Sequence, residues 1–275
     1  NVYRRRQRKP EAHFDPTDST TLAQQPLENW HASVMPPPDH QLRQQELSEE
    51  NQRLRAQVLQ EVQLVGESPA IQRIKETIQR VAPTNATVLI RGESGVGKEL
   101  VARLIHFSSA RKSRPMLKFN CAAFGKEEMY RELFGADSTL PPYGPQEGIM
   151  QRVASGTLYI KAIDLLPTEV QTALARYLKN AERHNKSVRI IASSNRGGAP
   201  SYPGRVLNEE LEQCFSKTKI VMPPLRNRSG DIAILLKYFL KYFCEQHNQK
   251  EKYFEDEAFE VLANYDWPGN VKELK

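Results

Sequence analysis

A glycine-rich run between an apolar segment and a helical pattern carries the clearest chemistry in the chain. It fits the spacing G-x-x-x-x-G-K and consists of Gly92, Glu93, Ser94, Gly95, Val96, Gly97 and Lys98. Glycines let successive backbone N–H groups converge on phosphate oxygens, and the start of the following helix adds a favourable dipole. The lysine of such a loop reaches the β- and γ-phosphates. The sequence therefore predicts a P-loop that binds a nucleoside triphosphate, with ATP as the expected ligand.

The residue after this lysine departs from the usual form of the motif. A Ser or Thr commonly stands there and binds magnesium through its hydroxyl group, whereas this chain has Glu99. The P-loop by itself therefore leaves the need for Mg²⁺ open.

The P-loop needs a strand before it and a helix after it, and the surrounding pattern supplies both. Short apolar runs alternate with helical patterns from residue 66 onward, which is typical of a parallel sheet covered by helices on both faces. The predicted strands cover residues 87–91, 117–120, 157–160, 188–192 and 219–222. We therefore predict an α/β nucleotide-binding subdomain at 66–228 with a five-stranded parallel sheet, and a small all-α lid subdomain at 229–275.

Two segments precede this α/β region. Residues 1–40 are rich in Pro, Gln, Asp and Thr, which predicts a flexible linker. Residues 41–65 are predicted to form a helical connector, because Leu47, Leu54 and Val58 occupy heptad-like positions. Two interpretations remain equally open: a connector that passes signals from a further N-terminal domain, and a dimerisation stalk.

The net charge of +6 is concentrated at the start of the chain. Five of these charges come from a tract without acidic residues: Arg4, Arg5, Arg6, Arg8 and Lys9. This basic tract has three alternative interpretations: a solvated tail, an anion-binding arm, or the cytoplasmic flank of a membrane span outside this sequence. The remainder is nearly neutral, so composition does not indicate a broadly basic surface there.

Composition also argues against several other classes of protein. No run approaches the 18 consecutive apolar residues of a membrane helix, so we expect a soluble, cytoplasmic protein with no membrane span in this sequence. Cys121, Cys214 and Cys244 are far apart, which gives no support to a metal site or a disulfide framework. We therefore predict no metal-binding residues in this sequence.

Several motifs in fixed order make the chain similar to a known family. Besides GESGVGKE at 92–99, they are NCAA at 120–123, ELFG at 132–135, GTL at 156–158, PPLR at 223–226 and WPGNV at 267–271. Over residues 62–275 the chain resembles the central domain of bacterial sigma-54-dependent transcription activators, in which Glu99 is ordinary. The resemblance implies an AAA+ ATPase that forms rings and binds ATP between subunits. It also implies contact with RNA polymerase and its sigma factor, and a C-terminal DNA-binding helix-turn-helix beyond Lys275.

Residues that such proteins use to hydrolyse ATP are replaced in this sequence. After its G-T-L strand the family carries an Asp that holds magnesium and a Glu that polarises water, and the corresponding residues are Lys161 and Ala162. The arginines that reach a neighbouring subunit's site correspond to Asn208 and Cys214. The resemblance therefore assigns no catalytic residue to this chain.

The polymerase-contacting loop is replaced as well. The family's G-A-F-T-G-A should follow Gly135, but residues 136–144 read ADSTLPPYG. Two prolines stiffen what should be a mobile tip. The resemblance therefore leaves the sigma-54 contact in doubt.

The nucleotide-binding half of the family's site is retained. It comprises Lys98, Asn195 at the predicted sensor position after the fourth strand, and Lys272 in place of a sensor arginine. We expect an ATP-binding regulator that hydrolyses poorly, with nucleotide controlling oligomerisation and Lys161 neutralising phosphate charge in place of metal. The alternatives are an active ATPase whose carboxylate is Asp164, and a scaffold that binds a cyclic dinucleotide.

Overall fold

The computed structural model describes residues 42–50, 53, 62–135, 147–184 (backbone only at 181–184), 188–195 and 207–275. Residues 42–50 form an exposed helix that belongs to a separate unit of the chain. The basic tract, the predicted linker, most of the second half of the predicted connector and the loop at 136–144 lie outside the described residues. None of the described helices is long and apolar enough to cross a membrane.

Five parallel strands form the sheet, as predicted. They are β1 (Val88–Arg91), β2 (Met116–Asn120), β3 (Thr157–Lys161), β4 (Arg189–Ser194) and β5 (Lys219–Val221). Their order across the sheet is β2-β3-β4-β1-β5. The fourth strand extends two residues beyond its predicted end, because Ser193 and Ser194 pair with Ile90 and Arg91 of β1. Apolar content alone could not locate that end, since backbone pairing continues through both serines.

Nine helices connect and cover these strands in the described part of residues 62–275. They are α1 (Pro69–Val81), α2 (Lys98–Phe107), α3 (Lys126–Phe134), α4 (Ile149–Val153), α5 (Thr168–His184), α6 (Glu209–Cys214), α7 (Gly230–Gln246), α8 (Asp256–Asn264) and α9 (Asn270–Leu274). Short 3₁₀ turns occupy Cys121–Ala123, Ile163–Leu165 and Leu225–Arg228.

Each face of the sheet packs against its own group of helices. Leu89 of β1 belongs to a core cluster with residues of α3, α5 and α6. Its neighbours Val88 and Ile90 point the other way, into a cluster with α1 and α2. Alternation of this kind buries both faces, which explains why the strands are almost continuously apolar.

The lid is helical, as the sequence predicts. Helix α7 buries Ile232, Leu235 and Leu236 in a small third cluster with Leu225 and Trp267. The indole N–H of this tryptophan donates to the carbonyl of Leu262 at 2.9 Å. The turn before α9 is thereby anchored to the rest of the lid.

Replacing Ile190 by alanine should destabilise the α/β subdomain strongly. Ile190 is fully buried in the central strand β4, so the substitution removes apolar contacts and leaves a cavity. We expect a loss of about 2–5 kcal/mol in the free energy of unfolding, measured by urea denaturation followed by circular dichroism. As the control, Val221→Ala changes a strand residue that is 64% exposed and should stay within about 0.5 kcal/mol of wild type. Equal losses would contradict this core assignment.

Candidate nucleotide-binding site

The P-loop joins β1 directly to α2 at the carboxyl edge of the sheet. Its backbone requires glycine at Gly95 and Gly97, where φ is +81° and +103°. The second of these is the residue before the first turn of α2 and has a left-handed conformation. The structure thus forms the strand–turn–helix that the motif predicts, with the first amides of α2 available to an anion.

The Lys98 ammonium group lies inside this turn. It is 9% exposed, and it donates to the carbonyls of Gly92 at 2.8 Å and Glu93 at 2.6 Å. Burial lowers its pKa to about 8, against the opposing charge of Asp164, and the positive charge of Lys161 lowers it further. A bound polyphosphate would supply the negative charge that this buried ammonium needs.

The turn before α9 packs directly on the P-loop. The amide of Lys272 donates to the carbonyl of Gly95 at 3.2 Å. A Cβ atom at Gly95 would lie 2.0 Å from the carbonyl oxygen of Gly269, so no side chain fits between the two segments. The predicted sensor position is therefore brought to the P-loop through its backbone, while the Lys272 side chain is exposed.

Asn270 connects the same two segments from a fully buried position. Its side-chain amide donates to the carbonyl of Ser94 at 3.0 Å, and its Oδ1 accepts from the amide of Leu225 at 2.7 Å. The family resemblance pointed to Lys272, two residues further along the chain, and not to Asn270. The WPGN motif was a signal that could have identified this link.

An ion pair adds a further connection between the P-loop and the lid. The Arg226 guanidinium donates to both carboxylate oxygens of Glu93, with distances of 2.8 Å and 2.5 Å. This hydrogen bonding is the main reason that the pKa of Glu93 is lowered, although partial burial opposes it. The Glu93 side chain thus binds Arg226, and Glu93 contributes to the P-loop through its backbone.

A cavity of about 280 Å³ opens beside the P-loop and was not predicted. It is lined by three parts of the chain: the segment Val62, Leu64 and Val65; Val96 and Leu100; and the lid residues Leu235, Tyr238 and Val271. Gln63, Arg103 and Lys275 add polar groups to these walls, and such a mixed lining next to phosphate-binding amides fits a nucleobase and its sugar. These segments are far apart in the sequence, so no local spacing indicated that they meet.

The buried Arg228 also lines this cavity. Its guanidinium contacts the Val96 carbonyl at 3.4 Å and approaches the Asp231 carboxylate to 4.0 Å. Among the described residues its Nε has no hydrogen-bond partner. A buried polar donor therefore remains at the wall of the cavity, as expected of a site that orients a ligand.

Lys161 and Ala162 lie at the carboxyl edge but carry no acid. Lys161 ends β3, is exposed, and pairs in register with Asn120 and Ser193. Ala162 follows in a left-handed conformation with φ of +57° and is buried. The edge of the sheet therefore presents an ammonium group and a methyl group where the resemblance implies two carboxylates.

Asn208 and Cys214 occupy the two ends of α6. The Asn208 side chain caps the helix by accepting from the Leu211 amide at 2.8 Å, and its Nδ2 contacts the Thr172 hydroxyl at 3.2 Å. Cys214 is half-buried against the core of the α/β subdomain. Neither position offers a cation that could extend to another subunit.

Asn195 is the first residue after β4 and is exposed. Its preceding residue, Ser194, accepts from the Gly92 amide at 3.3 Å, so the predicted sensor position is adjacent to the start of the P-loop. The structure thus brings Lys98, Asn195 and the Lys272 backbone to one edge.

Comparison with known proteins agrees with this arrangement. Residues 64–210, more than half of the chain, match the family described as the sigma-54 interaction domain. The chain belongs to this family. Residues 226–275 match the AAA+ ATPase lid domain, which confirms both the predicted resemblance and the predicted helical lid.

Full-length relatives carry the same domain. The chain is 36% identical over 222 residues to the transcriptional regulatory protein ZraR of Salmonella typhimurium, covering 77% of this chain and 50% of that protein. It is also 36% identical to the Nif-specific regulatory protein of Rhizobium etli, covering 77% of this chain and 38% of that one. The chain thus spans at most about half the length of these sigma-54 interaction domain proteins.

Solved structures of NtrX from Brucella abortus have the same fold. The complex with ADP has a TM-score of 0.70 at 33% identity, covering 86% of this chain and 55% of that chain. The complex with ATP has a TM-score of 0.69 at 32% identity, covering 86% of this chain and 57% of that chain. The α/β fold with a helical lid is therefore established for this family member.

Nucleotide binding should weaken as the pH rises through about 8. The pKa of Lys98 in the free protein is about 8, so the ammonium is partly neutral there and must take up a proton to bind phosphate. We expect a loss of up to about tenfold in ATP affinity per pH unit above that pKa. Calorimetry in buffers of different ionisation enthalpy should detect the proton uptake. In Lys98→Met, the pH dependence of ATP affinity and the proton uptake should both disappear. If they persist, another titrating group causes them.

Gly95→Ala should destabilise the protein more than Gly97→Ala. Both substitutions place a side chain at positive φ, at a cost of about 1–2 kcal/mol. Only the first also collides with Gly269 in the lid, whereas a Cβ at Gly97 meets nothing nearer than 3.9 Å. We expect the Gly95 variant to have the lower Tm, by about 2–4 °C or more, in thermal unfolding without nucleotide. Equal Tm values would show that the lid does not rest on the P-loop.

Proposed function

We propose that this chain is the nucleotide-binding domain of a sigma-54-activator-type transcription regulator, and that it binds ATP without hydrolysing it efficiently. The proposal rests on a contrast within one site, between the part that would bind the nucleotide and the part that would hydrolyse it. Lys98, the first amides of α2 and the adjacent cavity form a complete binding half. Lys161 and Ala162 occupy the positions from which the family's catalytic carboxylates act.

The charge at position 161 supports poor hydrolysis directly. A carboxylate there attracts a metal ion, whereas the Lys161 ammonium repels it. The methyl group of Ala162 cannot orient or polarise water. A missing arginine finger alone lowers phosphoryl-transfer rates by about 10³- to 10⁵-fold, and Asn208 is held as a helix cap. These losses need not multiply, but each lowers turnover.

Binding without turnover is sufficient for regulation. A ligand that prefers the assembled state stabilises that state by mass action, so ATP occupancy would control assembly into a homo-oligomer, from a dimer to a ring. The Glu93–Arg226 ion pair and the Asn270 contacts connect the P-loop to the lid and would transmit occupancy. In the whole protein, RNA polymerase with its sigma factor and DNA bound through a C-terminal helix-turn-helix are the proposed partners, in the cytoplasm.

A slow but active ATPase is the second candidate. It is favoured by the buried carboxylate of Asp164, which lies three residues after Lys161. The two candidates differ in whether bound nucleotide turns over.

Phosphate release from ATP should be the same for wild type and Lys98→Ala. We expect both proteins to release phosphate only at the background rate. Wild type does not turn ATP over efficiently in this proposal, so weaker binding in the variant cannot lower the rate further. ATP affinity, measured by calorimetry, should fall at least about tenfold in Lys98→Ala, since a charge-assisted contact contributes about 1.5–3 kcal/mol. Lys112→Ala, in an exposed turn, should bind as wild type does. Release that depends on Lys98 would establish the active ATPase instead.

The same titration should include ADP, GTP and cyclic dinucleotides. The proposal predicts that ATP and ADP bind and that their affinity depends on Lys98. Tight binding of a cyclic dinucleotide with no binding of ATP would overturn it in favour of a scaffold domain.

A further inference from the structure

Asp164 is a buried acid with no role in the fold described so far. It lies in the 3₁₀ turn Ile163–Leu165, directly after β3, at the same edge of the sheet as the P-loop. The residue is only 8% exposed. Within the described part of the chain, its Oδ1 is buried without any hydrogen-bond partner.

The surroundings of Asp164 identify it as part of the nucleotide site. Its negative charge is the largest of those acting on Lys98. Burial raises the pKa of the Cys121 thiol, directly after β2, and the charge of Asp164 raises it further. The positive charge of Lys161 acts on Lys98 as well. Asp164 is therefore close enough to Lys98 and to Cys121 for its charge to act on both, in the turn that follows β3 at this edge of the sheet.

A carboxylate oxygen that is buried without a hydrogen-bond partner is costly, and the Oδ1 of Asp164 is such an atom. Mg²⁺ in nucleotide sites is held by one or two protein carboxylates, together with phosphate oxygens and water. The described residues offer no group of three or more metal-binding side chains, so a metal ion would depend on the nucleotide for its other ligands. The donor set thus fits a magnesium–nucleotide complex and does not fit a metal bound by the protein alone.

We propose that Asp164 supplies the magnesium-facing carboxylate of this site, three residues after the position that the family uses. This inference rests on the proposed nucleotide binding and extends it to the magnesium complex. Asp164 would replace the metal-holding acid lost at Lys161, but nothing replaces the water-polarising acid lost at Ala162. The arrangement accounts for a nucleotide that is bound as its metal complex and persists without cleavage.

The test measures ADP affinity by calorimetry with excess Mg²⁺ and with EDTA. In wild type, Mg²⁺ should tighten ADP binding. In Asp164→Asn this tightening should be about 10- to 100-fold smaller, whereas the affinity in EDTA should not fall, because the variant removes a negative charge near the phosphates. Glu169→Gln, an exposed acid in the first turn of α5, is the matched control and should behave as wild type. Mn²⁺ bound in the presence of ADP, counted by electron paramagnetic resonance, gives a direct second readout.

A double variant separates loss of the metal ligand from damage to the fold. Lys161→Asp combined with Asp164→Asn restores an acid at the family's position and should recover the Mg²⁺ dependence. The Tm of Asp164→Asn without nucleotide should stay close to that of wild type, because the lost attraction to Lys98 is offset by removal of a buried carboxylate whose Oδ1 has no hydrogen-bond partner. A lower Tm without recovery in the double variant would assign Asp164 a structural role and overturn the proposal.

Failure of this inference differs from failure of nucleotide binding itself. Equal ADP affinity with Mg²⁺ and with EDTA in wild type would show that Lys161 neutralises the phosphates without metal, and it would leave the proposed function intact. Absence of ADP and ATP binding under both conditions would overturn both proposals.

Discussion

Parallel pairing of β3, β4 and β1 is the constraint on which the rest of the structure depends. Lys161, Ser193 and Ile90 are aligned in one row across these strands, so each strand ends at the same edge. The chain must leave that edge through a turn, and after β1 the turn is rich in glycine. The nucleotide site thus follows from strand register combined with a backbone that accepts positive φ, and the side chains around it determine its chemistry.

The site combines a retained set of binding contacts with altered charges. Lid and P-loop are joined by backbone contact at Gly95, by the buried Asn270 and by the Glu93–Arg226 ion pair. All three would be sensitive to what the P-loop holds, because they originate from its own residues. Lys161 and Ala162 lie at a different part of the edge and take no part in the contacts just named. Ligand-dependent coupling to the lid is therefore compatible with poor turnover.

Much of the fold could be predicted from the sequence, because apolar periodicity and glycine spacing are local signals. The five strands and the helical lid were located in this way, with errors of one or two residues at strand ends. The largest error is at the end of β4, where backbone pairing continues through two serines. The cavity beside the P-loop could not be predicted. Its walls come from residues near Val62, from Leu100 and from Tyr238, which meet only after the lid has packed. The orphaned Oδ1 of Asp164 likewise depends on burial, which a single sequence does not report.

The cap at the start of α6 makes reversal of the catalytic losses difficult. Asn208 stands where the family resemblance places an arginine, and its side chain satisfies a backbone amide that would otherwise lose its partner. An arginine at that position would forfeit a cap worth roughly 0.5–2 kcal/mol before any neighbouring subunit could benefit from it. Because acids at positions 161 and 162 would also be needed, no single substitution restores the full machinery. Under the proposed loss of hydrolysis, a return to turnover would therefore require several simultaneous changes, one of them at the expense of a helix cap.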